Sequence, residues 1–162
     1  MRHHTKDKGD IGLGCVIADL LQAGIQVALP LSEHLPFDVI AISENGTLSR
    51  LQVKYRAAVK NRIECDLRAT WSDSHGAHHR AFDPKSCDAL AIYCPEPQAC
   101  YYLRTDEFLS GSVNLRTVPA RNGQLTGIRM AADYANPMRI FALLAQWTER
   151  LPSKETARGS NP

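Results

Sequence analysis

The chain has 162 residues, enough for one domain at roughly 100–200 residues each. Hydrophobic residues make up 44% and charged residues 22%, which excludes wholesale disorder and collagen-like or low-complexity structure. The 19 basic and 17 acidic residues leave a net charge of +2, so a nucleic-acid partner must be argued from where the charges sit rather than from their sum.

Thr5 can cap a first helix, with Asp7 and Asp10 near its positive end. Ile11, Cys15, Ala18 and Leu21 continue at helical spacing, against the cost of Gly12 and Gly14, and Gly24 ends the helix. Residues 25–29 form a short apolar run before Pro30 and read as a strand, and 30–36 as a loop. Residues 38–43 are rich in β-formers and run into Glu44-Asn45-Gly46, a hairpin turn signal, so 48–55 is the return strand. On that strand Leu51, Val53 and Tyr55 share one face, and Arg50, Gln52 and Lys54 the other.

Residues 63–67 suggest a further strand. The polar, histidine-rich stretch 70–84 reads as an irregular functional loop. Residues 88–93 form a buried strand, 95–97 a turn, and 100–103 pair back. A short helix is expected at 105–109, and weak alternation with Asn122-Gly123 gives a turn within 116–126. Asn136 caps a last helix that starts at Pro137 and carries Phe141, Leu144 and Trp147 on one stripe. One domain over 1–151 and a disordered tail over 152–162 are expected.

The five cysteines, Cys15, Cys65, Cys87, Cys94 and Cys100, are odd in number and form no CxxC pair. With a polar start and no leader-like apolar stretch, they suggest a reducing, cytoplasmic compartment with packed thiols. No apolar run approaches the ~20 residues that span a membrane, so no membrane association is expected.

Asp10 lies on the first helix, Asp38 opens a strand two residues after Pro36, and Gln52 and Lys54 share a strand face. The hairpin brings Asp38 beside Gln52-Val53-Lys54. Oxygen donors there suit a hard divalent cation, since Mg²⁺ typically uses one or two carboxylates plus water and substrate phosphate. A lysine beside such a metal can orient or deprotonate water and stabilise phosphate charge.

Pro36-Phe37-Asp38 followed by Gln52-Val53-Lys54 resembles the PD-(D/E)xK nuclease superfamily, and more closely its group I intron-associated homing endonucleases. The closer likeness rests on His4-Thr5-Lys6-Asp7-Lys8-Gly9-Asp10, on Leu29-Pro30-Leu31-Ser32-Glu33-His34, and on Leu51-Gln52-Val53-Lys54-Tyr55-Arg56. Trp71-Ser72-Asp73-Ser74-His75-Gly76-Ala77-His78, Tyr93-Cys94-Pro95 and Tyr101-Tyr102 add to it. It extends to about Tyr134.

The resemblance implies a restriction-endonuclease-like α/β domain with a mixed sheet flanked by helices. It also implies Mg²⁺-dependent hydrolysis of double-stranded DNA by a homodimer or homotetramer. Asp38 would ligate the metal by its side chain, Val53 by its carbonyl and Gln52 by its amide oxygen. Asp10 would complete the shell, and Lys54 would act on the water. Gln52 stands where the superfamily usually has Asp or Glu, so the site has one negative charge fewer.

Each feature also has an ordinary reading. Asp38 could be a turn residue, Lys54 an edge-blunting lysine and Asp10 a helix-dipole partner. Asp73, His75, His78 and His79 could form a histidine metal site, although no paired cysteines support it. Lys54, Arg56, Lys60, Arg62, Arg68 and Arg80 outnumber Glu64, Asp66 and Asp73, forming a candidate phosphate-facing stripe joined by His75 and His78. Two further functions stay open: a junction-resolving or repair nuclease, and a DNA-binding module with a degraded site.

Overall fold

The structure, a computed structural model, describes residues 4–32, 34–74, 76–108, 111–119, 123–124 and 126–141. The expected first helix forms as α1 (His4–Gln22). It starts one residue before Thr5, so Thr5 lies in its first turn rather than at its cap. At its end Gly24 takes φ +78°, with Gly24 N donating to Leu21 O at 3.0 Å and Ile25 N to Leu20 O at 2.9 Å. This is the paired bonding of a left-handed C-terminal cap, which turns the chain into β1 (Gln26–Ala28) and buries Ile25.

β2 (Val39–Ile42) and β3 (Leu48–Tyr55) form the expected hairpin, with Gly46 at φ +82° in its turn and Val39 opposite Leu51. Beyond β3 come β4 (Ala58–Val59) and β5 (Arg62–Asp66), joined by Lys60 and Asn61, both at positive φ. The stretch expected to be irregular is in fact a hairpin of β6 (Ala69–Asp73) and β7 (Gly76–Arg80), with Trp71 opposite His78. Its polarity hid the period-2 pattern that burial of one face would impose. β8 (Ala89–Cys94) and β9 (Ala99–Arg104) fall where expected. A 3-10 turn occupies Thr105–Glu107.

β10 (Ser112–Arg116) precedes the stretch where weak alternation was noted and pairs with β5. Two more 3-10 turns, Ala131–Tyr134 and Pro137–Phe141, follow. Asn136 does cap the second, its Oδ1 accepting from Met138 N at 3.0 Å. Phe141 is buried, whereas Leu144, Trp147 and the expected tail lie outside the described residues.

The main sheet runs β1-β2-β3-β8-β9, with β3 and β8 parallel and all other pairs antiparallel. A parallel pair needs a crossover. Here β4 to β7 supply it, so one face carries α1 and the other a second sheet ordered β10-β5-β4. The α1 face takes the small Ala41, Ala89 and Ala91, which let the helix come close, together with Val16, Leu20 and Tyr102. The opposite face takes Leu90, Ile92 and Leu103 against Ile63, Cys65, Val113 and Leu115. β8 is therefore buried along its whole length. A small sheet therefore covers the face opposite α1. Among the described residues no helix is long and apolar enough to cross a membrane.

Candidate active site

The register sets the side chains. Leu51, Val53 and Tyr55 pack toward α1, so Gln52 and Lys54, paired with Leu90 and Ile92, project to the opposite face. Asp38 immediately precedes β2. Its main-chain N donates to Leu51 O at 2.8 Å, and its Oδ2 accepts from Val53 N at 2.6 Å. The hairpin thus clamps this exposed carboxylate onto the Gln52-Val53-Lys54 segment from both ends of the residue, as the sequence suggested.

Gln52 is half-buried, and its Oε1 is fully buried without a hydrogen-bond partner. A buried acceptor left unpaired costs about 1–3 kcal/mol, so it marks a place where a ligand can repay desolvation. The cleft that Gln52 lines holds about 440 Å³ and is walled by His34, Pro36, Leu67, Phe82, Asp83 and Ser86 among others. Phe82, Asp83 and Ser86 were not singled out in the sequence, the first two lying inside the polar stretch 70–84 and Ser86 just beyond it. Only the chain's return toward β8 brings them to Gln52.

Lys54 is half-buried. Burial pushes the Cys65 thiol on β5 up, while Arg56 and Lys54 pull it back, so both cations lie close to the second sheet. Arg56 also donates Nη1 to Tyr55 O at 2.9 Å, and is half-buried. Asp10 is exposed on α1, two residues before Gly12, whose backbone lies against Tyr55. At about 100° per residue it is roughly 200° around the helix from that contact, on the other side of the sheet from Gln52 and Lys54. No contact in the described structure joins it to Asp38.

The remaining basic residues are scattered along the crossover. Lys60 and Arg62 are exposed at the β4–β5 turn. Arg68 is exposed and forks onto Asp66 with its Nη2 2.7 Å from Oδ2, which holds the Asp66 carboxyl down at about 2. On the β6–β7 hairpin, His78 Nε2 lies 2.9 Å from Asp73 Oδ1. His75 and the Arg80 side chain lie outside the described part. Among the described residues no three His, Cys, Asp or Glu side chains gather as a metal-binding group.

Comparison with solved structures matches a bacterial homing endonuclease, I-Ssp6803I, at a TM-score of 0.68 and 22% identity, covering 95% of this chain and 100% of that one. At that identity the likeness concerns the fold. Among curated proteins none matches. A family model described as PD-(D/E)XK endonuclease matches residues 3–137, a span that holds α1, the Asp38 clamp, Gln52 and Lys54. The chain therefore belongs to the PD-(D/E)XK endonuclease family.

Proposed function

We propose that the protein is a divalent-metal-dependent endonuclease of homing type that hydrolyses phosphodiester bonds in double-stranded DNA. The observation that carries this is the unpaired, buried Gln52 Oε1 in its cleft, one residue along β3 from the Val53 N–H that clamps the Asp38 carboxylate. Such a donor set fits Mg²⁺, which tolerates one or two carboxylates and completes its shell with water and phosphate oxygens. Asp38, Gln52 Oε1 and the Val53 carbonyl would hold it, whereas Asp10, on the α1 side of the sheet, stands apart from this set. Lewis-acid polarisation of a phosphodiester oxygen is what Mg²⁺ supplies when bound.

The chain's own groups do the rest. The Val53 N–H fixes the orientation of the Asp38 carboxylate. Lys54, on the same strand face as Gln52, would hold the attacking water and offset negative charge growing on the phosphate. Arg56, Lys60, Arg62, Arg68, His75, His78 and Arg80 would meet the DNA backbone. Arg68 would exchange Asp66 for phosphate as it does so. One domain carries one such site, so cutting both strands calls for a homodimer or homotetramer, and sedimentation of the purified protein checks this.

The test is plasmid cleavage with Mg²⁺. Wild type is expected to nick and linearise the plasmid, with Asp38→Ala and Lys54→Ala slower by at least about 100-fold. Equal cleavage by all three would sink the site. A second reading, a DNA-binding module, draws on the neutral Gln52. Salt-dependent DNA binding without cleavage of any substrate would favour it.

A further inference from the structure

We infer that Asp83 supplies the second negative charge for a divalent cation at Asp38 and Gln52, holding it through water from across the cleft. This rests on the metal-dependent reading of that cleft. Gln52 gives an oxygen without charge, so a cation there would lack one of the anions that usually balance it. Asp83 lines the same cleft as Gln52 and is its one carboxylate among the described lining residues. A hydrated Mg²⁺ keeps several waters, so a carboxylate that does not touch the ion can still hold it through one of them.

The local structure fixes Asp83 in place. Its Oδ1 accepts from Lys85 N at 2.9 Å. Its main-chain carbonyl accepts from Ser86 N at 3.0 Å and Ser86 Oγ at 2.6 Å. Just before it, Phe82 packs on Phe108 with ring centroids 5.8 Å apart, tying the turn to the apolar face beneath. The turn uses only one of the two carboxylate oxygens. An asparagine would serve the turn equally well, so the charge itself has no structural use there.

Asparagine therefore separates the two roles, because Asp83→Asn keeps the acceptor for Lys85 N–H and removes only the charge. Mn²⁺ binding to the full chain without DNA, followed by water-proton relaxation, is the readout. Asp83→Asn is expected to weaken Mn²⁺ binding about tenfold with an unchanged melting temperature, the scale of losing an outer-shell partner. Adding Gln52→Glu to Asp83→Asn should restore the affinity by returning the charge at the neighbouring position.

Wild-type affinity in Asp83→Asn, alongside weakened binding in Asp38→Asn, would overturn the role of Asp83 alone. No Mn²⁺ binding by wild type, or none lost in Asp38→Asn, would remove the metal reading and this inference with it. If Asp83→Asn lowers the melting temperature, the double variant decides. Recovered affinity supports the role, and its absence overturns it.

Discussion

At the scale of single residues, the charge pair that closes β3 onto β8 is the clearest stabilising device. Asp88 accepts from Arg50 N at 2.8 Å, Arg50 Nε at 3.0 Å and Arg50 Nη2 at 2.8 Å. These bonds hold the Asp88 carboxyl below its ordinary value of 3.8. A lowered folded value means the contribution is fully present above 3.8 and is lost as pH falls through the folded value. Since both side chains are partly exposed, Asp88→Asn should cost only about 1 kcal/mol at neutral pH. Urea denaturation should show that difference shrink once the pH is well below 3.8.

The thiols give a second test at this scale. Burial pushes Cys100 up to about 12 and Cys94 to about 11, and raises Cys65 and Cys87 as well. Thiolate is the reactive form, so a thiol reagent at mildly alkaline pH should label only Cys15 readily before unfolding. Fast labelling of two or more thiols in the native protein would contradict this packing. The sequence had already suggested packed cysteines from their odd count and spacing. It could not say which would be buried, because that depends on which strand faces meet.

At the scale of elements, α1 and the two hairpins behave differently. The β2–β3 hairpin was legible because Asn45-Gly46 supplies the turn and alternation fixes the register, so the Asp38–Gln52–Lys54 grouping followed from local rules. α1 was legible by period despite its three glycines, Gly9, Gly12 and Gly14, and the structure explains only Gly12. A Cβ on Gly12 would lie 3.4 Å from Tyr55 Cβ, whereas one on Gly14 meets nothing within 4 Å.

Gly14→Ala should therefore raise stability by about 0.5–1 kcal/mol, the ordinary helix gain. Gly12→Leu should lower it by about 1–3 kcal/mol by pushing α1 off β3. Thermal melts of the two variants should move in opposite directions. The β6–β7 hairpin and β10 were not legible. β10 buries Val113 and Leu115 in alternation but over only five residues, and β6–β7 carries polar residues on both faces.

At the scale of the whole molecule, two apolar clusters sit on opposite faces of one sheet, and none of the described side chains of the β6–β7 hairpin belongs to either. None of its described side chains is buried. Local opening follows buried contact, so amides of β6 and β7 should exchange with solvent long before those of β3, β8 and β9. Peptide-level hydrogen exchange reads this directly, and equal protection of the hairpin and β8 would contradict it.

The sequence by itself determined the order of most elements and the placing of Asp38 against the strand that carries Gln52 and Lys54. Each of these rests on period, turn chemistry or neighbours within about 15 positions. The tertiary structure alone decided that a second sheet covers the far face, that Gln52 Oε1 is buried unpaired, and that Asp83 lines the same cleft as Gln52. Those facts depend on the long crossover from β3 to β8, whose path is set by burying Leu90 and Ile92 against β5 and β10. No local pattern encodes a contact of that range.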